Sequence, residues 1–173
     1  MNGRVLPSLL GALCLATAPG AAPGQSIPAD CRAVIAAEKK EIVTPYHEYI
    51  TKGAATNEAI SAGGVNYIMV HGKWRRSPLT PKDALDRIQE NLSTAKAYSC
   101  QHVGDESVNG VSAAVYTSHS ENEGVVGDSR TWIAKGTGLP VRQEEDISTG
   151  GTDKRHMSIR WEYANVQAPA GVR

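Results

Sequence analysis

The chain of 173 residues has no phenylalanine, and aromatic residues make up only 5% of it. Any core must therefore be built on Val, Ile, Leu and Ala. The chain also lacks an excess of either charge, with 18 basic and 18 acidic residues. That balance excludes the basic footprint of a general nucleic-acid binder. The longest apolar stretch, Val5 to Ala18, is too short and too interrupted by Pro7 and Gly11 to span a membrane. Catalytic and metal-binding signatures are missing as well. His47, His71, His102, His119 and His156 are scattered, with no H-E-x-x-H or C-x-x-C spacing, so no metal centre and no cofactor are expected. There is no G-x-S-x-G elbow, and Gly72-Lys73 lacks the spacing of a phosphate-binding loop. Gly127-Asp128-Ser129 is similar to the nucleophile block of some lipolytic hydrolases. Those enzymes need it near the chain start on a strand-to-helix turn, whereas here it enters a strand in the second half. The chain is read as a non-enzyme.

The amino terminus reads as an export signal. Arg4 precedes the apolar stretch, small residues follow, and Ala22-Pro23-Gly24 ahead of Gln25 suits cleavage. Residues 1–24 are assigned to a signal peptide and residues 25–173 to one domain, with a periplasmic destination. Cys14 raises the alternative of a lipid anchor, but Leu13 stands where a small residue is required, so the chain is expected not to be lipid-anchored. Two cysteines remain, Cys31 and Cys100. In an exported chain such a pair favours a disulfide, and a loop of that length would contribute about 4 kcal/mol by the loop-closure model. The alternative is a reactive thiol, although nothing electropositive clusters around either cysteine.

Ser26 to Lys40 is expected to form a short helix, with Ser26 as its cap and Cys31, Val34, Ile35 and Glu38 near one face. Glu41 to Lys52 is rich in β-branched and aromatic residues, and Pro45 within it permits only an edge strand or a strand start. Val65 to Trp74 is apolar on both sides, which suggests cover on both faces. Leu79 to Ala97 is the clearest helix: Thr80 caps it, Pro81 opens it, Asp83 suits its amino-terminal dipole, and Leu85, Ile88, Leu92 and Ala95 form one apolar stripe. That stripe is expected to pack on the sheet. Asn109-Gly110 marks a hairpin. Strands follow over Arg130–Lys135, Leu139–Ile147 and Met157–Tyr163. In the last, Met157, Ile159, Trp161 and Tyr163 share one face while Ser158, Arg160 and Glu162 take the other. Glu144-Glu145-Asp146 and Glu121/Glu123 read as solvating charge. His71 to Arg76 is the one basic–aromatic cluster. Strands in meander with one strong helix give an α+β fold.

The segment Trp132 to Arg142 (WIAKGTGLPVR) resembles the W-I-x-x-x-T-G-L-P-x-R hairpin of LolA/LolB-like periplasmic proteins. Gly104-Asp105-Glu106, Asn109-Gly110 and Val115-Tyr116 are similar to the hairpin before it, and Trp161 to Val166 to its closing strand. The resemblance covers about the last seventy residues. It implies a curved antiparallel sheet, an unclosed half-barrel, packed on one or two helices. It further implies a hydrophobic or amphipathic, lipid-like ligand on the concave face, or alternatively a protein-interaction or envelope-stress module without a small ligand. The expected ligand-binding residues are Tyr67, Met69, Trp74, Trp132, Met157, Ile159 and Trp161. The expected partners are a hydrophobic small molecule or lipid, or a periplasmic protein, and the chain is expected to be a monomer.

Overall fold

Ala29–Ile42 is read as α1 in the computed structural model, which describes residues 27–150 and 154–172. The expected signal peptide and the Ser26 cap lie outside the described residues. α1 has Pro28 at its cap position with no side-chain cap, Asp30 in its first turn, and Lys39 and Lys40 in its last, each suiting the helix dipole. It buries Cys31, Val34, Ile35 and Ala37. Glu41, expected in a strand, instead sits in the last turn of α1, and β1 starts only at Tyr46. Pro45 explains the boundary, because it disfavours helix for the residue before it.

Two runs of antiparallel strands surround the helices. β1 (Tyr46–Lys52), β2 (Ala55–Ala62), β3 (Val65–Val70) and β4 (Lys73–Arg76) form the first. After α2 (Pro81–Thr94) come β5 (Ala97–Val108), β6 (Val111–Asn122), β7 (Val125–Ala134), β8 (Pro140–Ser148) and β9 (Lys154–Glu162). The expected single segment from Val65 to Trp74 is a hairpin, turned at His71-Gly72 where both residues have positive φ. β3 is also not covered on both faces, since Ile68 remains 38% exposed. The expected Asn109-Gly110 hairpin is present, with φ of 51° and 81°.

The two runs join through the first and last strands. β1 pairs with β9, giving the sheet order β4-β3-β2-β1-β9-β8-β7-β6-β5. β4 and β5 do not meet, so this is a curved, unclosed antiparallel half-barrel with two helices, as the resemblance implied. α1 crosses one face of the sheet. Near its start Cys31 forms a disulfide with Cys100 on β5 (Cα–Cα 5.0 Å), and the Asp30 carboxylate accepts a hydrogen bond from the His102 backbone N–H at 2.9 Å. At its end Lys40 donates to the Thr137 carbonyl in the β7–β8 turn at 2.5 Å. The resembling Lys135–Leu139 turn is thus where the helix lands.

Strand alternation gives the sheet a helix face, which α1 covers, and an open face. On the helix face Val34, Ala37 and Ile133 pack with Cys100 and Tyr116. On the open face Ala113, Val115 and Trp132 make a second small cluster with Val108 and Val141.

Candidate functional site

α2 forms with the caps its sequence dictates. The Thr80 side chain accepts from the Asp83 backbone N–H, the Asp83 carboxylate accepts from the Thr80 N–H at 2.8 Å, and Pro81 opens the helix. Its expected packing on the sheet is incomplete. α2 has no buried residue, and Leu85, Ile88, Leu92 and Ala95 all keep part of their surface. Its main tertiary neighbour is α1. The apolar stripe instead forms one wall of a cleft of about 480 Å³. Ile88, Leu92 and Ala95 line the helix side; Tyr98 on β5, Val125 on β7, Glu145 on β8 and Glu38 on α1 line the rest.

The polar lining of this cleft is acidic. Glu38, Glu145 and Glu123 line it, with no Lys or Arg among the described lining residues. Burial and then the neighbouring Glu145 push the Glu38 carboxyl up to about 7. Burial also raises Glu145, and Lys52 partly offsets this. Glu145 was expected to be solvating charge. Strand alternation turns it to the opposite face from Glu144 and Asp146, because the middle of three consecutive strand residues must point the other way. Gly127 leaves it room: a Cβ there would lie 3.6 Å from the Glu145 Oε1 and 3.0 Å from the Ser120 Oγ.

Further along the helix face the acidity continues. Burial pushes Glu41 up to about 8, reinforced by Glu48 and Glu38, while Tyr46 and Trp161 favour its ionised form. Burial lifts Glu48 to about 7. Tyr46, Tyr98 and Tyr163 are all raised, first by burial and then by these carboxylates. The Trp161 indole N–H is buried beside Glu41 and Glu48, yet it makes no hydrogen bond of good geometry with either.

The open face behaves differently. A wider depression of about 570 Å³ there crosses β5 to β9. Its charged groups on the open face are already paired: His119 with Asp128 at 2.8 Å, His156 with Asp146 and with Glu144 at 2.9 Å each, and Arg130 with Glu106. Ser129 cannot work with the adjacent His119 and Asp128, because its hydroxyl meets that of Ser118 and alternation places it on the helix face. Glu145 also borders this depression but turns its side chain to the helix face, so the charged side chains on the open face are paired with one another.

The seven residues expected at the ligand divide between the two faces. Met157, Ile159 and Trp161 lie on the helix face, with Ile159 and Trp161 buried in the sheet's own packing. Tyr67, Met69 and Trp74 lie on the open face near the β4 edge, where Trp74 meets the His47 ring edge-on at 6.0 Å. Trp132 also lies on the open face. Arg130 and Arg142 stand over its ring at 5.1 and 4.7 Å, and its indole N–H donates to Glu106 at 2.7 Å. None of the seven lines the α2 cleft. Among its lining residues, the stripe Ile88, Leu92 and Ala95 was visible in the sequence, and Glu38 was visible on the apolar side of the first helix.

No family model matches the chain, and no curated protein matches its sequence. The fold is similar to solved structures at low identity. Lipoprotein LppX of Mycobacterium tuberculosis is 12% identical with a TM-score of 0.45, over 82% of this chain and 97% of that one. LprF from Mycobacterium bovis is 10% identical with a TM-score of 0.46, over 80% and 96%. MucB is 12% identical with a TM-score of 0.46, over 82% of this chain and 63% of its own, and a structure of MucB in complex with MucA(peri) is also similar.

Proposed function

We propose that the chain is a non-enzymatic, exported binding protein that holds an amphipathic ligand in the cleft between α2 and the helix face of the sheet. The observation that carries this reading is α2 itself. A well-capped helix with a clean apolar stripe would ordinarily bury that stripe, yet here it buries no residue and walls a cleft of about 480 Å³, within the size range of small-molecule sites. A ligand's apolar portion supplies the cover that the sheet does not.

Binding of the uncharged fluorescent probe N-phenylnaphthylamine to the mature chain tests it. The expected result is a saturable fluorescence increase that Ile88→Asp with Leu92→Asp weakens at least tenfold, while the urea midpoint moves little because these side chains are not buried. Absence of saturable binding, or equal binding by the double variant, would overturn the reading.

A second reading, a partner chain docked by strand addition, has one specific support. β5 is a 12-residue strand at the end of the sheet order, and among the described residues only β6 pairs with it. Asp30 covers its backbone at His102. Protection of β5 amides from hydrogen exchange on adding a partner would favour that reading.

A further inference from the structure

From the cleft's charge we infer the class of its ligand: an amphipathic amine, whose cationic head lies between Glu38 and Glu145 and whose alkyl portion lies along Ile88 and Leu92 of α2. This rests on the proposed function and adds the head-group chemistry to it. Among the described residues, three carboxylates and no basic side chain line the cleft. Glu38 makes neither an ion pair nor a hydrogen bond among the described residues. Lys52 moderates Glu145 from a distance but forms no ion pair with it. Two neighbouring carboxylates in a half-closed site repel each other, and the empty site bears that cost. A cation between them removes the repulsion and regains charge-assisted hydrogen bonds in a partly desolvated setting. A fatty acid or a phosphate-headed lipid would add a third negative charge, so the same lining selects against both. Tyr98 adds an aromatic ring to the lining, a surface suited to an alkylammonium group.

The test uses three ligands of equal chain length, decylammonium, decanol and decanoate. Each is titrated below its micelle concentration against the N-phenylnaphthylamine complex of the mature chain at pH 8, where Glu38 is mostly ionised. Decylammonium is expected to displace the probe at a concentration at least tenfold below that for decanol. Tenfold is what one charge-assisted hydrogen bond of about 1.5 kcal/mol gives. Decanoate should be the weakest. Glu38→Gln with Glu145→Gln should abolish the preference for the amine while leaving decanol binding in place. Decanol binding as well as the amine, or an amine preference that survives the double substitution, would overturn the inference and leave the proposed function standing. Binding of none of the three would remove both.

Discussion

Glu41 offers the sharpest test of how this fold handles charge. Its carboxyl lies in the last turn of α1, turned to the sheet, and burial with Glu48 and Glu38 lifts it from 4.5 to about 8. In the unfolded chain it ionises near 4.5, so between about pH 5 and 8 the native state holds a proton that the unfolded state has released. Stability must therefore fall as pH rises across that window and level off above it. At about 1.4 kcal/mol for each factor of ten in proton affinity, the ceiling is about 5 kcal/mol. The side chain is half-buried and solvent relaxes around its charge, so about 2 kcal/mol is the expected loss. His156, whose imidazole Asp146 and Glu144 hold above its ordinary value, and Glu38 and Glu48, both lifted to about 7 by burial, also lose stabilising effect with rising pH and add a drift of the same sign. Comparison with Glu41→Gln cancels that drift. Urea unfolding followed by tryptophan fluorescence at pH 5, 6.5 and 8 is the assay. The two proteins should match at pH 5, and the variant should be about 2 kcal/mol more stable at pH 8. A variant less stable than the wild type at pH 8, or wild-type stability that rises from pH 5 to 8, would refute the placement of Glu41 against the helix face.

Two further outcomes follow from the same geometry. Replacing both Cys31 and Cys100 by Ser opens a loop whose ends are 69 residues apart, and should lower stability by about 4 kcal/mol, read from the urea midpoint in non-reducing buffer. An unchanged midpoint would mean that Asp30 and the α1 core contacts hold the helix without the bond. Thr80→Ala removes the α2 capping box, worth about 1 kcal/mol to the helix. Because α2 buries no residue, the loss should appear as faster amide exchange within α2, with little change in the global unfolding midpoint; an equal effect on both would show that α2 is integral to the core.

Much of the local chemistry was legible in the sequence, although the His71-Gly72 turn and the end of α1 at Ile42 were not. Thr80-Pro81-Asp83 fixed the start of α2, Asn109-Gly110 the β5–β6 turn, the alternation from Met157 to Trp161 the last strand, and the cysteine pair the clamp between α1 and β5. Each depends on residues close in the chain or, for the disulfide, on the two cysteines that lie outside the expected signal peptide. What the tertiary structure alone decided is how those pieces face one another. The pairing of β1 with β9 has no local signal, because it joins segments more than a hundred residues apart. The division of Trp132 from Trp161 onto opposite faces depends on register across intervening strands, and a shift of one residue would reverse it. Glu145 read as surface charge because its neighbours are charged; only the position of α1 over its face makes it half-buried and sets it beside Glu38. The α2 stripe announced that it would pack on something. Its partial exposure, and with it the cleft, follow from where the half-barrel leaves room.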